Sequence, residues 1–75
     1  MISDVRQNLH ASPFQPFVIV MSSGQRYRVA IANHAGVSPN GGQVVVWFDD
    51  DSGVTISGLH IVAIEKGAAS KNGAD

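Results

Sequence analysis

The alternation of apolar and polar residues changes period several times along the chain. Ile2, Val5 and Leu9 recur at spacings of three and four, which lays one apolar stripe along about two helical turns. Ser3 or Asp4 can cap such a helix and Pro13 stops it, so the spacing predicts a short helix over residues 2–12. A helix that short is marginal alone and must dock on an apolar surface. The run Phe-Val-Ile-Val-Met at 17–21 supplies one, and being apolar at every position it reads as a strand covered on both faces. Residues 22–25 read as a hairpin turn in which Gly24 can take a positive φ.

Over 26–31 the period becomes two. Tyr27, Val29 and Ile31 point one way and Arg26, Arg28 and Ala30 the other, leaving one face wet. Residues 32–38 read as a looser connection and Pro39-Asn40-Gly41-Gly42 as a second turn. A third strand follows at 43–48, with Val44, Val46 and Phe48 inward and Val45 and Trp47 outward. Beyond the 49–53 turn, residues 54–57 alternate apolar and hydroxyl side chains as a fourth strand, and 62–65 form a short fifth after a corner at 56–61. Residues 67–75 carry no apolar period and read as a disordered tail. No linker or repeat divides the chain, so residues 1–66 are expected to be a single domain. A helix and five short antiparallel strands are too little for a sandwich. They predict a mainly β fold, one strongly bent five-stranded antiparallel sheet in the manner of a small barrel, with Gly24, Gly36, Gly53 and Gly58 at its bends.

Composition adds a reason to self-associate. A 75-residue chain buries only about 60% of the surface exposed on unfolding. Without cysteine, neither a disulfide nor a thiolate zinc site can reinforce it. Apolar residues make up 44% and charged residues 15%, against roughly 25% charged in ordinary soluble domains, so some apolar surface is expected to meet a partner. The outward Val45 and Trp47 are the candidate homo-oligomer interface. A net charge of −1 provides no field for gathering duplex DNA. The first ten residues lack the pattern of a signal peptide and no stretch approaches a membrane span, so a cytoplasmic protein is expected.

Two family resemblances enter on specific residues. The corner Ile56-Ser57-Gly58-Leu59-His60-Ile61 resembles the Ile-Arg-Gly-x-x-Ile corner of Sm-like proteins, the group that includes Hfq, at three of its four fixed positions. That resemblance implies an Sm-like or SH3-like small barrel, rings made by pairing the fourth strand of one subunit with the fifth of the next, and single-stranded RNA at the pore. Ser57 stands where the motif carries its RNA-contacting arginine, and Val29 where a second glycine is expected. More of the chain, 13–29 and 37–65, is similar to a group of short, uncharacterised bacterial proteins. These share a Pro-Phe-x-Pro-Phe opening, a Ser-Pro-x-Gly turn and a closing His-Ile-x-x-Ile-Glu.

Little in the chain has the spacing of catalysis. Asp49-Asp50-Asp51 lacks the alternate oxygens and terminal glutamate of a calcium loop, so it reads as a solvated turn whose charges guard the apolar strand before it. His10, His34 and His60 fall on a helix end, a loop and a corner, which makes no metal set. His60 reads as half-buried with a ring nitrogen bonded to a backbone carbonyl, and His34 as the more exposed. Ser22, Ser23, Ser38, Ser52 and Ser57 all suit turns or edges, and Gly41-Gly42 leads into a strand and so makes no phosphate loop. No enzyme and no cofactor is expected. Arg26 and Arg28 flank Tyr27 as a local cationic pair, although Tyr27 must face the other way, and a salt bridge to an aspartate such as Asp50 is the plainer use of either. Arg26, Arg28, Ser57 and His60 are therefore the candidate partner or nucleic-acid surface. The sequence reads as a non-enzymatic self-associating assembly or binding module. A single-stranded RNA binder comes second and a metal-dependent enzyme last.

Overall fold

A computed structural model describes residues 2–66. The helix α1 spans Ile2–Leu9 and is followed by six strands: β1 Phe17–Met21, β2 Arg26–Val29, β3 Ala35–Val37, β4 Gln43–Trp47, β5 Gly53–Ser57 and β6 Ile61–Lys66. Single 3₁₀ turns, Ala32–His34 and Gly58–His60, separate β2 from β3 and β5 from β6. The strands form two antiparallel sheets of three, ordered β2-β1-β6 and β3-β4-β5. This corrects the expectation of one bent five-stranded sheet, because among the described residues the strands divide between two sheets and no barrel closes.

The division has a local cause at each 3₁₀ turn. The second strand was expected to run through Ile31, but it ends at Val29, and Ile31 is left 50% exposed as the extended residue that opens the Ala32–His34 turn. The next three residues, expected as a connection, are recruited as β3, with Ala35 opposite Val46 and Val37 opposite Val44. At the second break Ser57 Oγ accepts from the Leu59 backbone N–H, which stabilises the turn as Asx- and Ser-type caps do. Gly58, expected at a bend, does open this turn, though with an ordinary φ. What requires glycine is close approach, since a Cβ there would lie 2.4 Å from Ile2 Cγ1 of α1, and the Gly58 N–H donates to the Gly42 carbonyl at 3.0 Å.

One core joins both sheets and the helix. Val5, Phe17, Ile19, Met21, Val29, Val44, Val46, Ile56 and Ile61 are buried, each contributing about 1.5–3 kcal/mol of transfer free energy. On α1 the stripe behaves as its spacing predicts, with Val5 fully buried and Ile2 and Leu9 packed beside it. The helix stops at Leu9, short of residue 12. Ser3 and Asp4 lie inside its first turn and so are not its caps, because Ile2 is already helical. β1 buries only one face, Phe17, Ile19 and Met21, while Val18 and Val20 on the other are half-buried. In β6, Ile61 and Ile64 both turn toward the core although three residues apart. A bulge explains this: Val20 pairs with Ala63 and Met21 with Ile61, so Val62 is unpaired, the phase shifts by one, and Val62 is 53% exposed. No helix among the described residues is long and apolar enough to cross a membrane. The tail expected over 67–75 lies outside the described residues.

Candidate functional site

β4 alternates as its sequence requires, so Val44 and Val46 are fully buried while Val45 and Trp47 face outward. Phe48, expected inward, is 41% exposed. β4 ends at Trp47, and the Phe48 N–H donates to the Ser52 carbonyl at 2.7 Å, which makes Phe48 the first residue of the next turn. Trp47 pairs with Gly53 on β5. Its indole is bedded between glycines of the two neighbouring strands. A Cβ on Gly36 would sit 3.7 Å from Cζ3, and one on Gly53 would sit 3.2 Å from Cδ1 and 2.9 Å from the Val46 carbonyl oxygen. The ring rests against backbone and remains 43% exposed.

Beside it opens a cleft of about 330 Å³ lined by Arg28, Ala30, His34, Trp47, Phe48 and Asp49. It lies where the chain passes from the first sheet to the second, so β2 supplies Arg28 while the 3₁₀ turn supplies His34, the end of β4 supplies Trp47 and the turn that follows supplies Phe48 and Asp49. His34 Nε2 lies 3.9 Å from Asp49 Oδ1, and the Asp49 side chain is otherwise open to solvent. The structure thus brings together Arg28 and Trp47, two of the residues singled out from sequence, and adds His34, Phe48 and Asp49. The pairing of a tryptophan with glycines on either side could have pointed there, but only the strand register reveals that they are neighbours.

The other candidates lie elsewhere. Arg26 forms an ion pair with Glu65 across β1, because Arg26 stands opposite Val20 and Glu65 opposite Val18 on the same outer face. That pairing pushes the Arg26 guanidinium above its ordinary value, chiefly through the hydrogen bond to Glu65. Asp50, named as a possible arginine partner, instead accepts from the hydroxyl and the backbone N–H of Ser52, and these bonds hold its carboxyl below the ordinary 3.8. Ser57 caps its own turn. His60 is exposed, and the residue is fixed by its carbonyl, which accepts from the Ser22 N–H at 2.7 Å, whereas His34 is the partly buried histidine of the two. His60 therefore belongs to the turn end of β1 and Ser57 to the end of β5 opposite Gln43, while Arg28 stands opposite Val18 nearer the other end of β1. Val45 is half-buried beside Gly36 and Thr55.

Two further serines are tied up like Ser57. Ser38 Oγ accepts from the Gly42 and Gln43 N–H groups, and Ser23 Oγ from that of Gln25. Among the described residues, no group of three or more His, Asp or Glu is placed to hold a metal ion. Comparison with family models, with curated proteins and with solved structures returns no match.

Proposed function

We propose that the chain is a non-enzymatic, self-associating binding module. The observation that carries the reading is the corner between β5 and β6. Leu59 is 92% exposed there and Val62 stands out on its bulge, and each of the two strands is the last in its sheet. Unpaired edges beside open apolar side chains are a template for pairing with another chain. A small core with few charges makes that pairing a source of stability. The interface is assigned to Leu59 and Val62 in preference to Val45 and Trp47, since Val45 is half-buried and the indole already packs over Gly36. Four of the serines are used locally, in keeping with the non-enzymatic half: Ser23, Ser38 and Ser57 accept from backbone N–H groups of their own turns and Ser52 donates to Asp50.

Light scattering coupled to size-exclusion chromatography tests the assembly. The wild-type chain is expected to run as an oligomer at micromolar concentration and the Leu59→Asp, Val62→Asp double variant as a monomer with an unchanged circular dichroism spectrum. Both positions are exposed, so folding should survive. A wild-type chain that stays monomeric at high micromolar concentration ends the assembly reading. A second reading, single-stranded RNA binding, rests on Arg28 beside the open indole, the residue types of a stacking-and-phosphate surface. Absence of binding to mixed ribo-oligonucleotides at low salt would remove it.

A further inference from the structure

We propose that the groove between α1 and the outer edge of β3 takes the carboxyl-terminal end of an extended peptide from a partner protein. The proposal gives the binding half of the reading above a ligand and is independent of self-association. β3 is an outer strand of the second sheet, so one side of its backbone pairs with β4 and the other is left over. The register says which groups are left. The Ser38 N–H donates to the Gln43 carbonyl at 2.9 Å, so the next hydrogen-bonded pair along the ladder is Gly36 with Val45. Ala35 and Val37 therefore turn their N–H and C=O groups away from β4, and these four groups have no partner among the described residues. All of β3 lines a cleft of about 360 Å³ together with Arg6, Leu9 and His10 of the helix end and Asn33 of the 3₁₀ turn. No residue of β4 lines it, so it lies off the free edge. Donors and acceptors alternating along an extended edge are the complement of another backbone.

The occupant ends inside the groove. Arg6 reaches across from α1 and donates through Nη2 to the Ser38 carbonyl at 3.3 Å, and that carbonyl also accepts from the Gly41 N–H, so the edge is closed just beyond Val37. A strand running through would displace the guanidinium, whereas a chain end meets it. That end is a carboxylate and not an ammonium, because the ionisable side chains on the cleft are Arg6 and His10 and no carboxylate lines it. A second cavity of about 680 Å³ runs along the helix, shares Arg6 and His10, and is again without an acid. Asp4, the one acidic residue of α1, lies about 200° round the helix from Arg6. The bond to Ser38 leaves the guanidinium with further N–H groups, which can take both oxygens of a terminal carboxylate. With its carboxylate at the Ser38 end the ligand runs parallel to β3, and Leu9 and Val37 offer an apolar floor to one of its side chains.

The probes are acetyl-Val-Ala-Val with a free carboxyl group, the same peptide as its amide, and acetate, each titrated to millimolar concentration into isotope-labelled protein. The acid is expected to shift the Ala35 and Val37 amide resonances saturably, and the amide to bind about fivefold more weakly, the scale of one exposed ion pair. Acetate alone should leave both resonances in place. Arg6→Gln is expected to bring the acid down to the affinity of the amide and to leave the amide unchanged. Arg6 is exposed, so the variant should fold. Lys66→Gln removes the same charge outside both cavities and should alter neither affinity. Resonances that do not move with the acid overturn the proposal, as does equal affinity for acid and amide. So does saturation by acetate, which would make this a site for a small anion, or an Arg6 variant that holds the acid as the wild type does. The Leu59→Asp, Val62→Asp monomer should bind the acid like the wild type, so loss of assembly and loss of this site are read separately.

Discussion

On the first sheet the outward residues Val18 and Val20 are crossed by the Arg26–Glu65 pair, whereas on the second the outward Trp47 is laid on Gly36 and Gly53 and keeps 43% of its surface open. The inner faces are alike, each giving apolar and mostly β-branched side chains to one core. The outer faces therefore differ by choice of side chain and not by burial of the sheet. A charged pair held diagonally over valines covers them, so anything that approaches there meets ionic groups before apolar ones. Glycines beside an indole do the opposite. They lower the neighbouring strands beneath the ring, so the aromatic packs firmly without being covered.

Altering the glycine bed should break that contrast most strongly. A Cβ at position 53 meets the Val46 carbonyl oxygen at 2.9 Å, and a backbone atom inside a β ladder cannot step aside. Gly53→Ala is expected to cost about 2 kcal/mol, the scale of overpacking, and to alter the Trp47 emission. Gly36→Ala makes its first contact at 3.7 Å, an ordinary van der Waals distance, and should leave stability unchanged or raise it by under about 1 kcal/mol. Urea denaturation of the two variants gives the comparison. Equal losses would mean that the indole is placed by something other than the room beneath it.

How much of this was legible in the sequence follows from which interactions are local. The stripe Ile2, Val5, Leu9 and the alternation of β4 are written in neighbouring residues, and both were read correctly apart from their ends. β3 was not legible, since Ala35-Gly36-Val37 has no strand signature and becomes one only by pairing with Val44 to Val46. The break into two sheets was hidden for the same reason: Ala32–His34 and Gly58–His60 are single turns too short to mark a period. At the cleft, the outward Trp47 was visible from parity alone. Its companions His34 and Phe48 were not, because one depends on a turn and the other on where a strand stops.

A smaller effect concerns two hairpins of the same construction. In the first, the Met21 N–H donates to the Gln25 carbonyl at 2.8 Å and Gly24, at φ 92°, donates back to Met21 at 2.9 Å. In the second, Phe48 and Ser52 pair at 2.7 Å and Asp51, at φ 70°, donates to Phe48 at 3.0 Å. Both are three-residue loops with a left-handed residue at the end, a position that suits glycine. The hairpin of the first sheet has it. That of the second carries an aspartate, a residue better tolerated there than most but still strained. Asp51→Gly should therefore raise stability by about 0.5–1 kcal/mol, read from the urea midpoint. A loss instead would show that the Asp51 carboxylate contributes more to the fold than its backbone strain removes, and would make the second hairpin a structural device in its own right.

The smallest effect lies on the closed face. Arg26 and Glu65 are both substantially exposed, so their attraction is shared with water and weakened by salt. Arg26→Gln should lower the melting temperature by a few degrees at most in dilute buffer. In molar sodium chloride, where screening acts within about 3 Å, the gap to the wild type should close. The guanidinium stays charged across the accessible pH range, being raised above its ordinary value by Glu65, so raising the pH from 6 to 9 should leave the gap unchanged. A gap that persists in molar salt would locate the contribution in the arginine stem packed over Val20. The first sheet would then be closed by apolar cover and the two outer faces would differ less in kind than in degree.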